Sequence, residues 1–176
     1  MLGKLIQGAN DLQTVNPKLA NEWDYKKNEN LTPNDITSGS NKNVWWICEK
    51  GHSYSAKIKS RNKGNACPYC SGHRVLTGFN DLATTNPLLL QEWDYEKNGD
   101  LLPTDITAGS LKRIWWICKR NHSYETGLAD RTIGKHGCPY CSGRKPIIGT
   151  NDLATTNPEL LKEWDYEKNG DLAPTD

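Results

Sequence analysis

VWWICEKGHSY, residues 44–54, begins as a β-branched and aromatic run suited to a strand and then turns within residues 48–52. Beyond the turn, Tyr54, Ala56 and Ile58 alternate with Ser55, Lys57 and Lys59, the period of a half-buried strand. The stretch predicts a β-hairpin with Cys48 and His52 at its tip. It returns as IWWICKRNHSY, residues 114–124, followed by Tyr124, Thr126 and Leu128 in the matching places. Adjacent tryptophans on a strand face opposite ways. One of Trp45 and Trp46 is expected to cover the hairpin, and its neighbour to receive another element. Trp115 and Trp116 repeat the arrangement.

Outward from the hairpins, the chain is an array. NDLQTVNPKLANEWDYKKN starts at Asn10, and close copies start at Asn80 and Asn151, at offsets of 70 and 71 residues. The third copy has no WWIC block after it within the 176 residues. The expected organisation is a tail over 1–9, repeats over 10–79 and 80–150, and a partial third repeat, its helical half alone, over 151–176. Asn16-Pro17, Asn86-Pro87 and Asn157-Pro158 each pair a good N-cap with the residue favoured at the first helical position, so a short helix should start there. Leu89, Leu90 and Trp93 fall on one face of it, as do Leu19, Ala20 and Trp23, and Leu160, Leu161 and Trp164. Helices this short need something to pack on.

All six cysteines fall into two sets of three, each with one histidine at fixed spacing: C-x3-H-x14-C-x2-C from Cys48 and C-x3-H-x15-C-x2-C from Cys118. Cys48, His52, Cys67 and Cys70, and Cys118, His122, Cys138 and Cys141, are each a complete Cys3His set for structural zinc. The extra residue falls in the loop before the second knuckle. Disulfides would leave the paired histidines unexplained, and nothing in the sequence suggests secretion. CPYC matches a glutaredoxin tetrapeptide, but that chemistry needs a βαβ scaffold for which a repeat of this size has no room. His73 and His136 are not equivalent between copies and are expected to be solvent-exposed. The fold class is therefore small, α+β and metal-stabilised: tandem modules, each a hairpin with zinc knuckles plus a short helix, holding two structural zinc ions.

The order NP-x-L-x-x-EWD, then Ile36-Thr37-Ser38-Gly39-Ser40, then Trp45-Trp46-Ile47-Cys48 and Ala66-Cys67-Pro68-Tyr69-Cys70 resembles the probable zinc-ribbon repeat family with a treble-clef finger. Such repeats occur in bacterial and large-virus proteins, sometimes beside endonuclease domains. The resemblance implies tandem treble-clef fingers, with nucleic-acid binding as the family's usual inferred role. In a treble clef a helix follows the second knuckle. The Asn80 helix would then complete finger one, and the Asn151 helix finger two.

Net charge is +1, yet it is unevenly spread. Residues 41–74 hold seven Lys or Arg against Glu49, and residues 111–145 hold eight against Glu125 and Asp130, so each finger block carries +6. The helical halves are acidic. Basic positions recurring in both copies are Lys42/Lys112, Lys50/Arg120, Arg61/Arg131 and Arg74/Lys145, the candidate phosphate contacts. Nucleic acid, DNA ahead of RNA, is the expected partner. The rival is a protein-interaction or structural array accompanying a nuclease or other effector. With equivalent histidines consumed as ligands, no catalytic constellation remains, so the chain is not expected to be an enzyme or to take a small-molecule substrate. A mean hydropathy of −0.78, no apolar run of membrane-spanning length and no signal-peptide pattern predict a cytoplasmic protein without membrane contact.

Overall fold

The computed structural model describes residues 4–176, so the first three residues of the expected tail lie outside the described residues. The chain divides into two compact units between Arg74 and Val75. The division falls ahead of Asn80 because the lead-in turn is bonded to its own repeat: the Leu76 and Gly78 N–H groups donate to Asn80 Oδ1 and Asp81 Oδ2 at 2.7 and 2.6 Å.

In the first unit, three single-turn helices come first: α1 (Leu12–Val15), α2 (Pro17–Ala20) and α3 (Tyr25–Asn28). Each begins at a side-chain cap. Asp11 accepts from Thr14 N–H, Asn16 from Leu19 N–H and Asp24 from Lys27 N–H. A 3-10 turn over Pro33–Asp35 is closed by the Asp35 and Thr32 side chains. The hairpin follows as β1 (Asn43–Ile47) and β2 (Ser53–Lys57), antiparallel, with Trp46 opposite Tyr54 and Trp45 opposite Ser55. The alternation past Tyr54 does not continue as strand. At Ile58 the chain turns into α4 (Ile58–Asn62), which buries Ile58 and Arg61. Ile58 therefore reaches the core from a helix and not from a strand.

The helical segment works as a third strand would. Asp24 N–H donates to Trp45 O at 3.1 Å, Ile47 N–H donates to Glu22 O at 2.7 Å, and Trp23 bridges Trp46. Asn28 completes the seam, accepting from Trp45 N–H at 2.9 Å and donating to its carbonyl at 2.7 Å. Behind this edge the Trp23 and Trp46 rings meet edge-on at 5.4 Å, in a core with Leu12, Leu19, Ile36, Val44, Tyr54, Ile58 and Cys67.

The second unit repeats this with α5 (Leu82–Thr85), 3-10 turns over Pro87–Glu92 and Pro103–Asp105, β3 (Arg113–Ile117), β4 (Ser123–Gly127) and α6 (Leu128–Thr132). Its core gathers Leu82, Trp93, Ile106, Ile114, Trp116, Tyr124 and Leu128. Here two expectations are corrected. The segment from Asn80 packs on the hairpin of its own repeat, as the Asn10 segment does, instead of completing the preceding finger. The segment from Asn151 contributes nothing to the core of the second hairpin. Backbone complementarity decides the pairing, because the segment that precedes each hairpin closes its open edge. The tryptophan pairs also divide differently. Trp46 both covers the hairpin and receives Trp23, while Trp45 is 38% exposed on the far face.

The third copy forms α7 (Leu153–Thr156), a 3-10 turn over Pro158–Glu163 and α8 (Tyr166–Asn169). Asp152 and Asp165 cap α7 and α8 with their side chains, but Leu160 is exposed where its equivalent Leu89 packs against a core. Local hydrogen bonds thus hold the segment with no hairpin of its own among the described residues. Desolvation of Asp11, Asp81 and Asp152 works against their charge. It is outweighed by hydrogen bonds from a threonine N–H and hydroxyl and a glycine N–H, which hold each carboxyl below its ordinary value. Their contribution to stability is present above about pH 4 and is lost as pH falls through the lowered folded values.

Trp23 is 3% exposed and joins the two halves of its unit. Trp23→Ala should cost about 3–5 kcal/mol in the unfolding of that unit, read by urea titration of zinc-loaded protein. A cost below about 1 kcal/mol would contradict the edge-packing arrangement.

Candidate metal centre

The tip between β1 and β2 is wound as a knuckle. Cys48 N–H donates to His52 O at 3.1 Å, and Gly51 N–H to Cys48 O at 2.8 Å. That turn requires a left-handed residue, supplied by Gly51 at φ 77° and in the second unit by Asn121 at φ 61°. Asparagine is one of the few side chains that tolerate it. The second pair of ligands comes from the CPYC turn, fastened by Ser71 N–H to Cys67 O and Arg74 N–H to Pro68 O at 3.0 Å each.

The two turns bring four donor atoms together, all within 4.8 Å of one another: Cys48, His52, Cys67 and Cys70, and in the second unit Cys118, His122, Cys138 and Cys141. His52 Nδ1 lies 3.5, 3.9 and 3.3 Å from the sulfurs of Cys48, Cys67 and Cys70, and Cys48 and Cys70 sulfurs are 3.8 Å apart. In the second unit His122 Nδ1 lies 3.6, 3.6 and 3.3 Å from its three sulfurs, and Cys118 and Cys141 are 3.7 Å apart. Tetrahedral zinc requires edges of about 3.8 Å between sulfurs and about 3.6 Å between sulfur and nitrogen. The donors fit that ion and stand far outside disulfide distance. Both sets are closed, with four protein donors each, which is the structural rather than the catalytic pattern.

The thiols differ. Desolvation opposes charge on Cys48, but the backbone N–H groups of His52 and Lys50 outweigh it and hold its pKa below the ordinary thiol value. Cys118 is held down likewise by Arg120 and His122. Cys70 and Cys141 are pushed up to about 11, by desolvation first and then by the neighbouring sulfurs. Three thiolates at this spacing repel one another, and a divalent cation removes the conflict.

A family described as the probable treble clef zinc finger domain matches the chain twice, over residues 19–73 and 89–144. The chain belongs to that family. Each matched stretch of this treble-clef chain starts before its hairpin and ends beyond its CPYC turn, so it includes the edge-closing segment as well as all four ligands. No curated protein matches the chain.

The other predicted residues scatter around the fingers. Lys42, Lys50, Arg74, Lys112, Arg120 and Lys145 are exposed, as are His73 and His136. Arg61 and Arg131 are not surface contacts, and their assignment as phosphate ligands is corrected. Each is 8% exposed. Arg61 Nη2 pairs with Glu22 Oε2 at 2.5 Å while Nη1 donates to Asn65 O, and Arg131 pairs with Glu92 at 2.6 Å and donates to His136 O. Their guanidinium groups lie over the Trp46 and Trp116 rings at 5.6 and 5.1 Å. These arginines fasten α4 and α6 to the acidic segments. The partners are 39 residues apart in sequence, and recurrence in both copies was the one available signal. That signal fits an internal ion pair as well as a phosphate contact.

Native mass spectrometry should find two zinc ions per chain, and one in Cys70→Ser with the second unit still loaded. A folded wild-type chain that carries none would contradict the assignment. Because the thiols must deprotonate to bind, loading should release protons, and occupancy should fall as pH drops, checked by zinc release to a chromogenic chelator from pH 8 to 5.

Proposed function

We propose that the chain is a binding module that holds nucleic acid on the basic surfaces of two structural zinc fingers and carries out no catalysis itself. The observation that carries this reading is where the opposite charges are spent. The acidic halves do not simply neutralise the fingers. Asp11, Asp24, Asp35, Asp81, Asp94 and Asp105 are engaged as caps of their own short helices and turns. Glu22 and Glu92 take the buried arginines. The lysines of the first finger at 42, 57, 59 and 63 remain exposed, as do Lys112, Lys119, Arg120 and Lys135 of the second. Three thiolates and an imidazole lower each block by only about one charge when zinc is bound. A surface of this kind suits phosphates, and DNA is the preferred candidate over RNA. The equivalent histidines, His52 and His122, are donors within closed sites, which supports a module that binds rather than reacts.

Fluorescence anisotropy at low salt, with duplex and single-stranded DNA and RNA, tests the reading. Binding is expected, with log affinity falling by about 0.9 per phosphate contact per log unit of salt on duplex DNA. The variant Lys42→Glu/Lys50→Glu/Lys112→Glu/Arg120→Glu should bind at least tenfold more weakly while keeping both zinc ions. No binding of the wild type to any of these at low salt would overturn the proposal in favour of a protein-interaction array.

A further inference from the structure

The outer face of the first hairpin carries Asn43, Trp45 and Ile47 on β1 and their partners Lys57, Ser55 and Ser53 on β2. Trp45 and Ile47 are 38% and 40% exposed and belong to no core cluster, although Trp46 beside them is wholly buried. The second hairpin repeats the arrangement with Arg113, Trp115, Ile117, Gly127, Glu125 and Ser123. Packing explains Trp46 and Trp116 but does not require an indole at 45 or 115.

The position is held firmly. Both backbone groups of Trp45 are clamped by Asn28, and those of Trp115 by Asn98 at 2.9 and 2.8 Å. A lysine accompanies each ring: Lys27 Nζ lies 4.1 Å from the Trp45 centroid, and Lys97 Nζ lies 4.3 Å from that of Trp115. Opposite Trp45 stands the small Ser55, which leaves the ring uncovered from that side. Beyond Ser55 and Lys57 the face runs into a groove bordered by Pro68, Ser71, His73 and Arg74.

We propose that this face is a stacking platform for an unpaired base of single-stranded nucleic acid, with Trp45 taking the base and Lys27, Lys57 and Arg74 taking the adjoining phosphates. The inference rests on the nucleic-acid reading above and adds to it the strand state and the contact. One indole and one isoleucine offer too little apolar area for a stable protein interface, which takes about 800 Å² per partner, yet they match one base. Base–aromatic stacking is worth more than an exposed cation–π contact, so a base displaces Lys27 from the ring toward the phosphate. The two fingers are unequal. Glu125 stands opposite Trp115 where Ser55 stands opposite Trp45, and it is held there by Arg113 at 2.8 Å. A carboxylate beside the ring, and a guanidinium engaged by it, make the second platform the weaker.

The test is binding of a fluorescein-labelled single-stranded oligothymidine of about ten nucleotides by the full zinc-loaded chain at low salt. Trp45→Ala should weaken binding about tenfold with two zinc ions retained. Trp115→Ala should weaken it less, and Trp45→Phe should restore most of the loss. The single strand should also outcompete the duplex of the same length. Wild-type affinity in Trp45→Ala, or equal loss from Trp45→Phe and Trp45→Ala, would overturn the platform while leaving the basic-surface reading intact. Preference for duplex would do the same. If no oligonucleotide binds the wild type, both fall together.

Discussion

Three sulfurs and an imidazole nitrogen held within 4.8 Å are the constraint on which each module depends. Without a cation the cluster repels itself, since ionised thiols at that spacing share no counter-charge. With one, the hairpin tip and the CPYC turn become a single covalently bounded loop. That closure would tie the hairpin tip to the turn whose Cys67 packs into the tryptophan core. A two-stranded sheet is marginal alone. Here one end is fixed by the metal donors and one edge by the acidic segment.

Edge closure has consequences for charge. Single-turn helices in water need strong caps, and aspartate caps α1, α3, α5, α7 and α8. The acidity of the helical halves follows from the way they are built. The fingers, held by metal donors and by a buried arginine paired with a glutamate of the acidic segment in each module, have no comparable need for carboxylates. Most of their lysines are left on the surface. The separation of sign along the chain is thus a product of how each half is stabilised.

Much of this was legible in the sequence. The Cys-His-Cys-Cys spacing, duplicated with a one-residue slip in a loop, named all eight ligands. The WWIC run announced the hairpin, and Asn16-Pro17 marked the start of α2. Three things were hidden. A tandem array cannot reveal from its repeats whether a helical half belongs to the hairpin before it or after it, and the deciding contacts, Asp24 to Trp45 and Glu22 to Ile47, are backbone bonds without a side-chain signature. Alternation separated the faces of Trp45 and Trp46 but did not say which face was covered. Arg61 and Arg131 looked like surface charge because their partners lie far away in sequence. The family match over 19–73 and 89–144 fits the observed pairing.

The most direct measurement of the central claim is the near-ultraviolet circular dichroism of the tryptophans as a strong chelator removes zinc at neutral pH under reducing conditions. Collapse of the signal in step with zinc release, and its return on adding back two equivalents of zinc per chain, is the predicted result. A spectrum that stays unchanged after the metal has gone would show that the core holds the fold without it, and would contradict the claim.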